Sequence, residues 1–306
     1  VHARVRALPA RFRRARLLIV GCGDVGLRAA RQLGGRLTVR ALTSQPGRIA
    51  ELRAAGLTPL LADLDQPQTL RRLAGLAQRV LHLAPPPGQG QTDPRMRALL
   101  AVLARGPAPR LVYGSTSGVY GDAAGARFDE TRALNPASAR AWRRVDAERQ
   151  LRRWALASGA VVTLLRIPGI YALDRAGGDP RERLRRGAPV LQASEDVYTN
   201  HIHADDLARA CIAALWRGRP QRAVHVCDCS ELLMGDYFDR VADLHSLPHP
   251  PRITRSQAQH QLGPMQMSFM SESRRLDNTR LLRELRVHLR FPDVALGLLH
   301  AGRSPG

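Results

Sequence analysis

Ten residues near the start of the chain constrain it most: Leu17-Leu18-Ile19-Val20-Gly21-Cys22-Gly23-Asp24-Val25-Gly26. Four apolar residues in succession suit a strand buried on both faces. The glycines that follow have separate tasks: Gly21 makes a tight bend, Gly23 lets backbone approach a pyrophosphate, and Gly26 lets a helix over Val25 to Leu33 pack closely. The first N–H groups of that helix, around Asp24 and Val25, then face the phosphates, where the helix dipole favours negative charge. In a chain with 26 glycines such a pattern alone is weak. A strand before it and a helix after it make it a dinucleotide-site expectation.

The remaining pattern alternates in the same way. Leu37–Leu42, Leu57–Ala62, Arg79–Ala84 and Arg110–Tyr113 read as further strands, with helices over Arg48–Ala55 and Pro94–Arg105 between them. This spacing predicts an α/β fold, a Rossmann-type doubly wound parallel sheet. Strand ends in such sheets line the ligand crevice, which puts Asp63, Leu64, Leu83, Ala84 and Ser115 at its edge. Just past the second strand, NAD enzymes place an acid for the ribose hydroxyls. Here stand Thr43, Ser44 and then Arg48, so the cofactor expected is NADP(H), with NAD(H) as the alternative.

Charge is the unusual part of the composition. The formal net charge is +21, and all 47 basic residues are arginine. A balance of that size usually points to nucleic acid. Here the arginines are spread through the whole chain, which reads as solvated surface with no specific nucleic-acid role. Arg4, Arg6, Arg11, Arg13, Arg14 and Arg16 do cluster, and residues 1–16 read as a basic N-terminal arm. No apolar run has the length of a membrane span and no signal-peptide pattern opens the chain, so no membrane partner and a cytoplasmic location are expected. Four cysteines fit that compartment. Cys227 and Cys229 lack the second pair that a zinc site needs, so no metal is expected there.

Five segments carry a resemblance in their order along the chain. These are the glycine loop, Asp63-Leu64, Ser115-Thr116-Ser117-Gly118-Val119-Tyr120-Gly121, Leu165-Arg166-Ile167-Pro168-Gly169-Ile170-Tyr171 and Asn200-His201-Ile202-His203-Ala204-Asp205-Asp206-Leu207. From about Leu17 to Leu298 the chain resembles the extended short-chain dehydrogenase/reductase family, the NAD-dependent epimerase/dehydratase group. Its tail, Ser271 to Asn278 with Phe291-Pro292-Asp293, resembles an atypical branch. The resemblance implies a Rossmann domain over 17–166 and a smaller C-terminal substrate-binding lobe over 167–306, with 200–228 returning to the Rossmann part. It also implies that Pro168, Gly169 and Ile170 flank the cofactor, and that the substrate is a small carbonyl or sugar-like molecule. An oxidoreductase or epimerase/dehydratase activity follows from it.

One departure from the family bears on mechanism. In the family a Tyr and a Lys four residues apart share a helix face and perform the acid–base step. Aligning on Glu148 puts Arg140 at the tyrosine position and Arg144 at the lysine position. Arginine stays protonated, so Arg140 cannot shuttle a proton, while Arg144 retains a cofactor-binding role. Thr116 matches the family's Ser/Thr position for the substrate oxygen and reads equally well as a strand-end hydroxyl satisfying local backbone. Tyr120 and Tyr171 are the nearest substitutes for the phenol and read mainly as packing residues. A non-catalytic NADP(H)-binding sensor or scaffold is therefore the competing reading.

His201 and His203 fall on one face of a strand, a two-ligand geometry. The simpler reading is that Asp205 and Asp206 cap and begin the helix Leu207–Leu215. In the family, the helices corresponding to Pro94–Arg105 and Arg140–Ala157 often pack against their copies. Leu99, Leu100, Val102 and Leu103, with Trp142, Val145 and Trp154, would supply such a homodimer face unless they point at their own sheet.

Overall fold

The computed structural model describes residues 15–299. The arginines of the basic arm up to Arg14 lie outside the described residues. Seven parallel strands form the central sheet: β1 (Arg16–Val20), β2 (Thr38–Thr43), β3 (Thr58–Leu61), β4 (Arg79–His82), β5 (Arg110–Thr116), β6 (Val161–Ile167) and β7 (Arg222–His225). Their spatial order is β7-β6-β5-β4-β1-β2-β3. The direction of winding reverses between β1 and β4, the point at which open α/β sheets leave a crevice beyond the strand ends. The sheet is the doubly wound Rossmann arrangement expected from the alternation.

β1 explains why both faces must be covered. Leu17 and Ile19 enter one apolar layer and Leu18 and Val20 the other, and all four are fully buried. The first layer is closed by α1 (Asp24–Leu33) and α5 (Ala204–Arg217). The second is closed by α3 (Pro94–Leu103) and α4 (Ala139–Ser158). A short helix, α2 (Ile49–Ala54), follows β2. Ser138 caps α4 by accepting from the Ala141 N–H at 3.2 Å, and Gly159 ends it in the left-handed conformation.

A third apolar cluster forms the smaller lobe. It gathers Tyr171, Leu184, Val190, Leu191, Val197 and Leu298 around α6 (Met234–His245). Short helices at Arg255–Gln261 and Pro264–Met270 extend it, and the parallel pair Arg127–Phe128 with Arg275–Leu276 ties it to the sheet side.

The residues proposed for a dimer face are accounted for by this packing. Leu99, Leu100, Val102, Leu103 and Val145 are buried in the protein's own core, Trp154 packs against it, and Trp142 alone of the group is exposed. α5 starts one turn earlier than expected. His203 is its cap, with Nδ1 accepting from the Asp205 N–H at 3.2 Å, while Asp205 and Asp206 occupy the first turn.

Candidate functional site

Two clefts open beyond the carboxyl ends of the strands. The first, of about 420 Å³, is lined by Val20, Gly21, Cys22 and Gly23 after β1, Thr43, Ser44 and Arg48 after β2, Asp63 and Leu64 after β3, and Leu83 and Ala84 after β4. Gly21 has φ +83°, and a Cβ there would overlap the backbone of Ala84, so the bend must be glycine for the chain to pass the end of β4. Gly26 lets α1 lie on β1, because a Cβ would sit 3.3 Å from both Ile19 and Cys22. Gly23 differs. A Cβ there would meet nothing within 4 Å, and as the cap of α1 it offers no side chain to the first N–H groups of the helix. The N–H groups of Asp24, Val25 and Gly26 have no acceptor among the described residues, the condition for an anion at a helix start.

The polar groups of this cleft are partly committed. Thr43 accepts from the Gln45 N–H at 3.1 Å. Asp63 accepts from the Asp65 N–H at 2.9 Å. Arg48 donates to both Glu51 oxygens at 3.0 Å and to the Cys22 carbonyl at 2.7 Å, so its charge is shared with Glu51 before any phosphate arrives. Burial pushes the Cys22 thiol up to about 11, which keeps it neutral. Asp24, Val25 and Gly26 follow the loop and do not themselves line the cleft. The Asp24 carboxylate pairs with Arg28 at 2.9 Å and Arg175 at 3.2 Å.

The second cleft, of about 520 Å³, lies between the sheet edge and the lobe. Thr116, Arg140, Arg144, Pro168, Gly169 and Ile170 line it, together with Arg175, Arg183, Asn200, His201, Phe269 and Arg274. Thr116 accepts from the Gly118 N–H at 3.2 Å, and its own proton has no acceptor among the described residues. Both sequence readings of this hydroxyl therefore hold in part. Arg144 donates to the Gly114 carbonyl at 2.7 Å and the Tyr113 hydroxyl at 3.0 Å, which stations it at the end of β5. Arg140 lies exposed, 5.2 Å over the Phe269 ring.

Ser115 requires a correction. It does not reach the crevice: it is 4% exposed and donates to Glu148 at 2.6 Å. Adjacent residues of a strand point to opposite faces, so with Thr116 in the cleft Ser115 must face α4. Glu148 also holds Arg166 at 2.8 Å. Arg166 in turn donates to the Tyr120 hydroxyl. His225 Nδ1 faces the Asp277 carbonyl at 2.9 Å and must donate to it, which leaves Nε2 to accept the Tyr120 proton at 2.7 Å. Tyr120 is thus locked in a buried network away from the cleft. Tyr171 is 2% exposed in the lobe core.

His201 and His203 are both buried, as is Ile202 between them, and both meet the Tyr171 ring, but their other neighbours differ. His201 stacks on Tyr237 at 3.9 Å and reaches the second cleft, whereas His203 packs on Phe291. Burial holds His201 down to about 3, so its imidazole is neutral at pH 7. Among the described residues no group of three or more His, Cys, Asp or Glu side chains is arranged to hold a metal ion, and the four cysteines are unpaired. No helix among them is long and apolar enough to cross a membrane.

Sheet order and cleft position define a dinucleotide-binding α/β protein. The profile of a family described as NAD(P)H-binding matches residues 21–217, and the chain belongs to that family. A structure of a functionally unknown conserved protein from Silicibacter pomeroyi superposes with TM-score 0.77 at 30% identity, covering 94% of this chain and 97% of that one. A nucleoside-diphosphate-sugar epimerase from Pseudomonas aeruginosa gives 0.76 at 19% identity over 94% and 96%. A UDP-glucuronic acid 4-epimerase from Bacillus cereus in complex with NAD gives 0.73 at 16% over 93% and 94%. The last two share the fold. No curated protein matches the sequence.

Proposed function

We propose that this chain is an NAD(P)-dependent oxidoreductase or epimerase/dehydratase-like enzyme acting on a small carbonyl or sugar-like substrate, with NADP(H) preferred over NAD(H). The observation that carries the reading is the uncapped start of α1 at Gly23, open to a cleft in an NAD(P)H-binding fold. Gly21, Gly23, Asp24, Val25 and Gly26 would form the phosphate loop. Thr43, Ser44 and Arg48 would face the adenosine ribose, and Asp63, Leu64, Leu83 and Ala84 the adenine side. Arg144, Pro168, Gly169 and Ile170 would flank the nicotinamide end at the second cleft. When bound, the dinucleotide supplies hydride exchange. Thr116 would place the substrate oxygen, with its free proton directed to it.

The division proposed is a Rossmann domain at 17–166 and a lobe at 167–306, with 200–228 belonging to the sheet side. A cytoplasmic location and the absence of a specific nucleic-acid partner belong to the same reading. A homodimer through α3 and α4 would have to rest on Trp142 and Leu156, which are exposed.

The competing reading, binding without turnover, is favoured by one feature: neither Arg140 nor Arg144 transfers protons, and the Tyr120 proton is already held by His225. Fluorescence titration with NADPH and NADH, followed by turnover across a carbonyl panel, tests both. Tight NADPH binding with turnover supports the enzyme, binding without turnover the sensor or scaffold, and absence of binding ends the reading.

A further inference from the structure

The second cleft has an excess of positive charge that its own walls do not neutralise. Five guanidinium groups line it, Arg140, Arg144, Arg175, Arg183 and Arg274, against the single carboxylate of Glu272. Two of the five have acidic partners: Arg274 pairs with Glu272 at 2.6 Å and Arg175 with Asp24 at 3.2 Å. Arg140, Arg144 and Arg183 have no carboxylate partner among the described residues. Arg183 is stacked 4.7 Å from the Phe238 ring, and its Nε is buried without an acceptor. Burial pulls this guanidinium below its ordinary value.

Arg140 and Arg144 are the sharper case. Four residues apart on α4, they share one helix face, and like charges at that spacing destabilise a helix. Neither makes an ion pair with a carboxylate of the described residues, although Asp93 is near enough to Arg144 to feel its charge. Each is instead held by a neutral group that leaves its charge intact, Arg140 by the Phe269 ring and Arg144 by the Gly114 carbonyl. His201, 8% exposed and lining the same cleft, has its Nδ1 without a partner. Guanidinium forks match the planar oxygens of phosphate and carboxylate; Arg144 spends only Nη1 on Gly114 and Tyr113, and Arg140 donates no hydrogen bond to the described residues.

We propose that Arg140 and Arg144 form an oxyanion site on α4, taking a phosphate or carboxylate group borne by the substrate close to its reacting end. This deepens the enzyme reading and rests on it for the assignment of the second cleft to substrate. The replacement of a proton-transferring pair thereby becomes a specificity device: the ligand that suits this cleft carries negative charge at α4 itself.

Isothermal titration of the full chain, without added cofactor, tests this with inorganic phosphate and separately with malonate at constant ionic strength in chloride. The proteins compared are wild type, R140Q/R144Q and R149Q/R153Q. Arg149 and Arg153 are exposed on the same helix and outside the cleft lining, so their loss removes the same charge from elsewhere. Wild type and R149Q/R153Q should bind at least one probe equally, and R140Q/R144Q roughly tenfold more weakly. Preference for phosphate or for malonate identifies the group, and either supports the site. R140Q alone, at an exposed position, should give part of the loss even if Arg144 is needed for folding. Equal weakening in both double variants would reduce the effect to overall charge and overturn the site, as would no binding of either probe to wild type. NADPH titrated into the same wild-type sample separates the two levels. Cofactor binding without arginine-dependent anion binding removes this inference alone, whereas no cofactor binding removes the enzyme reading.

Discussion

The first cleft is made of backbone and strand ends, whereas the second is walled by long cationic side chains drawn from both parts of the chain. In the first, glycine geometry and an uncapped helix start leave backbone donors for an anion, and the two arginines of the lining, Arg48 and Arg95, are already paired with Glu51 and Asp65. In the second, the charge is explicit and mostly uncompensated. A backbone-built site recognises a shape shared by many dinucleotides, while a side-chain-built site can be retuned one residue at a time.

The largest expected effect lies behind the second cleft. Glu148→Ala leaves Arg166 buried and unpaired and should cost about 3–5 kcal/mol. Urea denaturation measures it, and a loss under about 1 kcal/mol would show that the network is not structural. Next, Gly21→Ala should cost more than about 2 kcal/mol, through its positive φ and the overlap with Ala84. Gly23→Ala should melt within about 1 kcal/mol of wild type yet bind NADPH more weakly. If the two glycines behave alike, the distinction between fold and ligand positions in the loop is wrong.

Arg144→Ala should weaken NADPH roughly tenfold by fluorescence titration, with Arg140→Ala close to wild type. The reverse order would move the cofactor away from β5. If Arg140→Ala instead abolished turnover with affinity intact, residue 140 would have an essential chemical role.

A smaller effect concerns Asp228, buried just after β7, whose N–H donates to the His201 carbonyl at 2.8 Å. Burial, opposed by hydrogen bonds from Ser230 and reinforced by Asp293 and Asp206, pushes its carboxyl up to about 8. A raised carboxyl favours the folded state only in its protonated form. Its drag on stability therefore grows as pH rises from about 4, where the unfolded carboxyl ionises, towards 8. Asp228→Asn should melt higher than wild type near pH 8 and equally near pH 4. Parallel curves at the two pH values would remove Asp228 as the cause. Smallest is the cofactor choice: NADPH over NADH by only about threefold, because an exposed pair such as Arg48 with Glu51 is worth little. Glu51→Gln should widen the preference, and an NADH preference would sink the assignment.

The sheet and the first cleft were legible because their signals are local. Period, glycine spacing and strand ends are written in consecutive residues, and Gly21, Gly23, Leu83 and Ala84 all line the cleft they were read into. The second cleft was legible only at Thr116, Arg140, Arg144 and the Pro168–Ile170 segment. Arg183, His201, Phe269 and Arg274 join it from α6's lobe, the strand before α5 and the tail, and no pattern within any one of those segments points to a shared cavity. Ser115 shows the limit of a motif: as a block it puts both hydroxyls at the crevice, whereas strand alternation turns Ser115 to the opposite face from Thr116. The apolar residues of α3 were legible as apolar but not as inward, since a 3.6-residue stripe looks the same against a sheet or a second copy.

Arg28 deserves its place in this architecture for its reach. One guanidinium, 8% exposed, holds Asp24 of α1 at 2.9 Å, Asp205 of α5 at 2.7 Å and Asp174 beyond β6 at 2.6 Å. Asp24 passes the connection on to Arg175, which lines the second cleft and also donates to the Ile170 carbonyl at 3.4 Å. The floor of one cleft and the wall of the other are thus braced by a single strut that a lysine, with one compact charge, would not reproduce. The 168–175 segment and the helix start beneath the glycine loop are thus tied to one another through Asp24, Arg28, Asp174 and Arg175.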